Sequence, residues 1–528
     1  MITQYACISY GLIVVPLYDT LGLDAIKFIV NQTGMSTVVV ASDKLSNMLE
    51  AAPLCPSLKY VIKMGSLTQE DKNAARDAKV SLLYFRGVEA LGKESPKKAV
   101  PPAPEDLMTI CYTSGTTGDP KGVLITHNNV VAEAAAFLAM FPSDFVLNHE
   151  DVHLSFLPLA HIFEQLIMAA LLALGASIAF YRGDVLKLLD DVALARPTIF
   201  PAVPRLLNRV YDKVNAQVES LVPHRRFLFK QALASKKALL RQGVIRNDTL
   251  WDKLVFSKVR ARLGGRVKVI ITGAAPIAAD VLDFLRAAFG CQVLEGYGQT
   301  ETAAAVSATL VGDYSIEANG HVGAVLPCCE IKLVDIPDMG YTADDQPNPR
   351  GEICVRGYNV FKGYYKQPEK TKETLDADGW CHTGDVGMFL PNGTLKVIDR
   401  KKHLFKLSQG EYIAPEKIEN VYVKSKYVAQ VFIYGDSMKN SIVGIVVPDR
   451  EVLLEWAKVH HTDHGWLTLV KDPKIKKMIL DDMVALGKSM NLHSFEQVKD
   501  IHLETDEFTV ENGLVCLIYS IDFFTACY

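Results

Sequence analysis

The stretch Tyr112-Thr113-Ser114-Gly115-Thr116-Thr117-Gly118-Asp119-Pro120-Lys121-Gly122 constrains this chain more than any other. The apolar run from Leu107 to Tyr112 predicts a short buried strand leading into it. The eleven residues hold five hydroxyl side chains, Tyr112 among them, three glycines and one lysine. Glycine lets the backbone turn its N–H groups inward, and such a concave row binds phosphate oxygens. The hydroxyls add donors, and Lys121 adds a positive point charge. This is a loop for a polyphosphate. It is not a Walker A loop, because Pro120-Lys121-Gly122 stands where that pattern needs Gly-Lys-Ser/Thr. Runs of Ser, Thr and Gly are more often plain loops. Here later motifs complete the same site.

The stretch resembles the phosphate loop of the adenylate-forming enzymes, which include acyl-CoA synthetases, luciferases and peptide-synthetase adenylation domains. The resemblance covers roughly residues 1–513. It implies an α/β fold: a large domain over 1–399, of layered βαβ sheets plus a small β-subdomain, then a small mobile α+β domain over 400–514. Residues 515–528 form a tail with no counterpart in the family.

Composition is that of an ordinary globular chain, with 49% hydrophobic and 22% charged residues. The net charge of −4 gives no broad pull toward nucleic acid. The ten cysteines are scattered without a CxxC pair, which suits a reducing compartment inside the cell. The apolar run Leu166 to Phe180 is too short for a membrane span and reads as a buried helix followed by a strand. Surface contact with a membrane stays compatible with the sequence.

Along the first 95 residues, Ile8 to Leu17 and Thr37 to Val40 predict strands with a helix over Asp24 to Asn31, a βαβ rhythm. Tyr18-Asp19-Thr20-Leu21-Gly22 resembles a stretch well inside the long-chain acyl-CoA synthetases, so an opening segment is expected to be missing. Later strands are predicted at His153 to Leu157, Thr198 to Phe200, Val267 to Thr272 and Cys291 to Glu295. Charged residues over 215–263, such as Lys236-Lys237, read as solvated helix faces. His460, His461 and His464 invite a metal reading, but no cysteine or carboxylate set accompanies them, and a polar turn is the better reading.

Candidate site residues gather at predicted strand ends, where open α/β sheets bind ligands. Gly273-Ala274-Ala275 offers small residues against which a flat ring can lie. In Glu295-Gly296-Tyr297-Gly298-Gln299-Thr300-Glu301, Tyr297 offers an aromatic face, and Thr300 and Glu301 offer the hard oxygens that Mg²⁺ prefers. Asp385, in His382-Thr383-Gly384-Asp385, is predicted at a turn, where its carboxylate could accept from paired hydroxyls. The resemblance implies more specific roles. Thr113 to Gly118 and Lys121 would hold the phosphates. Gly273, Ala274, Ala275, Glu295 and Gly296 would contact ATP or AMP, with Tyr297 at adenine, Thr300 at phosphate and Glu301 at Mg²⁺. Asp385 and Arg400 would hold ribose, and Lys402 would be the hinge. His161, Val203 and Pro204 would border the acyl group. A lone histidine is more often structural, so His161 rests on the family pattern.

The implied reaction joins a carboxylate to the α-phosphate of ATP, releases pyrophosphate, and then passes the acyl group to the thiol of coenzyme A. Both nucleophiles are substrates, so no catalytic triad is required. Two chemistries in one site imply that the small domain re-orients, bringing Lys406 in for the second. Gln409-Gly410-Glu411-Tyr412-Ile413-Ala414-Pro415-Glu416 resembles the eukaryotic long-chain acyl-CoA synthetases, plant-like ones especially. A short-chain or aromatic acyl-CoA ligase, or a nucleotide- or acyl-binding isoform, remains an alternative at this point. The tail 515–528 has neither Lys nor Arg, and the last lysine is Lys499. The family has a catalytic lysine near its C-terminus, so weakened acyl-adenylate formation is expected of this chain.

Overall fold

The computed structural model of the chain describes all residues except 19–20, 116–117, 276, 313–319, 402–403, 408–411, 436–438, 460–464 and 510–528, and omits the side chains of 114, 115, 118, 119, 406 and 412. Near the start, Thr37–Ala41 (β1), Tyr60–Met64 (β2) and Ser81–Tyr84 (β3) form a parallel sheet, and the helix Leu23–Thr33 precedes β1. The strand expected over Ile8 to Leu17 is absent. Its first residues belong to the helix Ile2–Ser9, and the remainder forms one isolated β-bridge, Val14↔Thr109, with Val15 and Leu17 packed against a core cluster. Gly11, at φ +66, breaks the extended run there.

The phosphate-loop stretch is a β-hairpin. Leu107–Gly115 (β4) and Gly118–Thr126 (β5) run antiparallel, with Thr113 opposite Lys121 and Gly115 opposite Gly118. Thr126 then caps the helix His127–Ala139 in a reciprocal box with Asn129.

A seven-stranded sheet forms the centre, in the order β12-β11-β10-β9-β8-β6-β7. Its parallel part comprises Val152–Ser155 (β6), Ser177–Phe180 (β7), Ile199–Pro201 (β8), Val269–Thr272 (β9) and Gln292–Tyr297 (β10). Ser307–Ala308 (β11) and Ala324–Val325 (β12) join antiparallel. Leu154, Phe200, Ile270 and Val293 enter one buried cluster, and their neighbours Ile199, Val269, Ile271 and Leu294 enter another. Alternating side chains therefore bury both faces, which is why these strands read as unbroken apolar runs. The helix Ile162–Ala173 crosses from β6 to β7, and Ala279–Phe289 from β9 to β10. Among the long helices between β8 and β9, Lys236 departs from the solvated reading. It is 3% exposed, lies on the stripe Phe229, Ala232, Lys236, Leu240, and pairs with buried Asp252 at 2.9 Å. Arg260 contacts the same carboxylate at 3.1 Å.

Cys329–Val334 (β13), Arg350–Gly357 (β14), Cys381–Phe389 (β15) and Leu395–Arg400 (β16) form an antiparallel meander. Asp385 therefore lies within a strand, not at a turn. Gly384, at φ +72, introduces the irregularity that gave the turn-like signal. Phe405–Lys406 (β17) and Tyr412–Ile413 (β18) pair next. Val428–Gly435 (β19), Ile442–Pro448 (β20) and Asp500–Leu503 (β21) form a last sheet, packed with the helices Pro415–Tyr422 and Pro473–Ser489. One cluster, from Leu407 to Leu503, is drawn from this last part alone. Lys424 of this unit reaches Asp280 on the central domain at 2.8 Å.

Candidate active site

A cavity of about 550 Å³ opens at the carboxyl ends of β9 and β10, a size usual for a ligand site. Its polar part takes residues from four separate elements. The β4–β5 register makes Thr113 and Lys121 cross-strand partners, so both face the cavity from the same side of the hairpin. Thr300 and Glu301 enter from the short helical turn Thr300–Thr302 that follows β10. Arg400 enters from the end of β16. Gly273 lies at the end of β9, where a Cβ would stand 2.9 Å from the Gly296 carbonyl oxygen, so only glycine lets these two strand ends approach.

Glu301 is buried, and its Oε1 accepts the Tyr364 hydroxyl at 2.7 Å. Lys121 Nζ sits 5.0 Å over the centre of the Tyr364 ring. Burial pushes the Tyr364 phenol well above its usual range, so it remains a donor. Tyr364 thus links the lysine of the hairpin to the carboxylate of the turn. No local signal in the sequence around Gly363-Tyr364-Tyr365 marks this role.

Asp385 and Arg400 are partners across β15 and β16, with Arg400 Nε 3.6 Å from Asp385 Oδ1. The Tyr297 hydroxyl donates to Asp385 Oδ2 at 2.7 Å. Burial holds the Asp385 carboxyl above the usual carboxylate range, and Arg400 opposes that shift. On the same side, Lys401 contacts Glu352 at 3.2 Å and His382 lies 3.7 Å from it, and all three line the cavity.

The apolar part is formed by Phe137 and Met140 at the end of one helix and by Phe163, Leu166 and Ile167 on another, with Leu326 opposite. Most of these share one cluster with Ile271 and Leu294 of the central sheet. His161 stands at the start of the second helix and lines the cavity. Its Nδ1 accepts the Phe163 N–H at 3.2 Å, which leaves the proton on Nε2. Burial lowers its pKa, so the ring is neutral.

The structure therefore brings Thr113, Lys121, His161, Gly273, Ala274, Gly296, Thr300, Glu301 and Arg400 to one cavity. Asp385 stands one contact behind Arg400, and Tyr297 stands behind Asp385. Ala275, Glu295, Val203 and Pro204 do not line it. Glu295 is buried, with its pKa raised to about 7 by burial against the opposing influence of Arg286. Val203 and Pro204 begin the helix Pro204–Glu219, and the apolar wall is formed by other residues. Helical spacing marked Phe137, Leu166 and Ile167 as buried but could not separate core from cavity. Thr116, Thr117, Lys402, His460, His461, His464 and the tail from 510 lie outside the described residues, as do the side chains of Ser114 and Lys406, and Gly115 and Gly118 are described only as backbone of the hairpin. Among the described residues no group of three or more His, Cys, Asp or Glu side chains could hold a metal ion alone. Glu301 and Thr300 supply hard oxygens, which suits a divalent cation that arrives on a polyphosphate.

A polar cradle that continues into an apolar recess suits a ligand that is polar at one end and apolar at the other. A family model described as AMP-binding enzyme matches residues 1–365. The chain is 50% identical over 518 residues to long-chain-fatty-acid–CoA ligase 1 of Cavia porcellus, covering 98% of this chain and 73% of that protein. It is 47% identical over 528 residues to the peroxisomal long chain acyl-CoA synthetase 7 of Arabidopsis thaliana, covering 99% and 73%. Among solved structures, the A domain of carboxylic acid reductase from Segniliparus rugosus, in complex with AMP and a co-purified carboxylic acid, superposes with a TM-score of 0.76 at 27% identity, covering 98% of this chain and 77% of that one. The chain belongs to the AMP-binding enzyme family and, within it, to the long-chain fatty acid–CoA ligases.

Proposed function

We infer that this protein activates long-chain fatty acids with ATP to acyl-adenylates and converts these to acyl-CoA, releasing pyrophosphate and AMP. The observation that carries the reading is one cavity whose polar residues fit a nucleotide and whose apolar residues fit an alkyl chain. Lys121 and the hairpin hydroxyls neutralise and orient phosphate oxygens, which lowers the barrier where charge develops. Asp385, held by Tyr297 and Arg400, accepts from the ribose hydroxyls. Glu301 and Thr300 would hold Mg²⁺, which supplies charge neutralisation at the phosphates. His161, neutral and donating from Nε2, stands where the acid carboxyl meets the phosphate. The apolar side chains exclude water from the anhydride. Coenzyme A takes the acyl group in the second step.

The small domain, with its own core, re-orients about Lys402 between the two steps and presents Lys406 in the second. Burial raises Asp399, to about 8, and Glu416, which faces Arg400, so the contact between the units concentrates acids. No helix among the described residues is long and apolar enough to cross a membrane. A peroxisomal synthetase among the relatives supports action at the peroxisome. The test is an acid-dependent exchange of pyrophosphate into ATP, followed by coenzyme A-dependent thioester formation. Exchange with long-chain acids is expected. Its absence with every acid would overturn the reading.

A further inference from the structure

Glu133 is a buried acid in the cavity wall to which the mechanism above gives no part. It lies on the helix His127–Ala139, on the inward stripe Asn129, Glu133, Phe137, where residues spaced by four share a face. Its Oε1 accepts the Ala305 N–H at 3.0 Å, and its Oε2 accepts the Cys328 S–H at 3.2 Å. The Ala305 carbonyl accepts from Asn359 Nδ2 at 2.9 Å. Asn129 Nδ2 donates to the Tyr358 and Val360 carbonyls at 2.7 and 2.9 Å. Side chains thereby tie the helix, the turn at 303–305 and the segment 358–361 into one unit.

The turn needs such restraint. Ala303 and Ala304 have φ of 54° and 117°, values that alanine adopts only when its surroundings impose them. A Cβ on Gly298 would lie 2.2 Å from the Ala304 carbonyl oxygen, so the turn is pressed against the strand end before it. Thr300 and Glu301 face the polar part of the cavity just before the turn, and Ala304 and Ala305 of the turn itself line the cavity. The position of this turn therefore sets the boundary between the activating groups and the apolar recess.

We propose that Glu133 is a positioning residue for acyl-chain recognition, acting through Ala305 to hold the wall where the two parts of the cavity meet. The proposal rests on the reading that the apolar part takes the acyl chain. Burial pushes this carboxyl well above its usual range, and Cys328 is the titratable group that faces it. Glutamine can accept the Ala305 N–H in the same shape, and alanine cannot.

The experiment compares the full chain with E133Q and E133A in acyl-CoA formation across saturated acids from octanoate to stearate. Loss of a buried hydrogen bond is expected to raise the palmitate KM of E133A about tenfold and to flatten the chain-length preference, with the KM for ATP within about twofold. E133Q should keep the parent profile. Should E133A not fold, Glu133→Met, which fills the space without accepting a hydrogen bond, takes its place. E133Q departing from the parent, or E133A raising both KM values equally, would overturn the proposal. A parent chain that activates no acid would instead overturn the function proposed above.

Discussion

Replacing Tyr364 with Phe removes one hydroxyl and leaves the ring in place. The ring keeps its edge contact with Phe361, at 5.0 Å between centres, and its position under Lys121. What is lost is the 2.7 Å bond to Glu301 Oε1, inside the site and away from water. Hydrogen bonds to charged groups contribute about 1.5–3 kcal/mol, so the loss corresponds to about tenfold to a hundredfold in rate if it falls on the adenylation step. The assay is acid-dependent pyrophosphate exchange, measured in Y364F, in E301Q and in the double variant. In E301Q the acceptor is a neutral amide, and neutral hydrogen bonds contribute only about 0.5–1.5 kcal/mol. Y364F should therefore slow exchange less on that background, by a coupling of about 1 kcal/mol or more. Equal effects of Y364F on both backgrounds, or a change below about twofold in the parent, would refute the reasoning.

Other expectations follow from the same geometry. E301Q should raise the Mg²⁺ concentration needed for half-maximal exchange and slow adenylation by about 10²–10³; an unchanged Mg²⁺ titration would count against a metal role for Glu301. Asp385→Ala should weaken ATP affinity while the Tyr297 hydroxyl and Arg400 lose their shared partner, as isothermal titration with ATP would show. Glu295 has a folded pKa of about 7 against 4.5 when unfolded, so the folded state keeps a proton that the unfolded state has lost. Its contribution to stability declines as pH rises from 4.5 through 7, and Glu295→Gln should raise the melting temperature more at alkaline than at mildly acidic pH. Burial lowers the pKa of His161, so the unfolded state takes a proton first on acidification. His161→Gln should therefore reduce the loss of stability just below neutral pH, which thermal melts across pH would show.

The central sheet was legible in the sequence for a physical reason. A parallel strand buried on both faces reads as a continuous apolar run, as Val269–Thr272 does. Ile8 to Leu17 looked much the same, but its first residues end a helix and the left-handed backbone at Gly11 breaks the run that follows. The hairpin was visible as a phosphate-binding composition but not as a pairing, since the Thr113–Lys121 register depends on the whole length of both strands. Thr300, Glu301 and Arg400 were legible from motif order. Tyr364 was not, because its chemistry depends on a contact 63 residues back along the chain. Glu133 and Lys236 escaped for a related reason, since charge predicts exposure and each is buried against partners that local sequence does not reveal.

The most direct test of the central claim is the stoichiometry of one reaction: this chain with ATP, Mg²⁺, coenzyme A and a single long-chain fatty acid such as palmitate, with all products quantified. The structure predicts palmitoyl-CoA, AMP and pyrophosphate in equal amounts, with no AMP formed when the acid is omitted. Release of ADP and phosphate in place of AMP and pyrophosphate, or AMP formation indifferent to the acid, would contradict it.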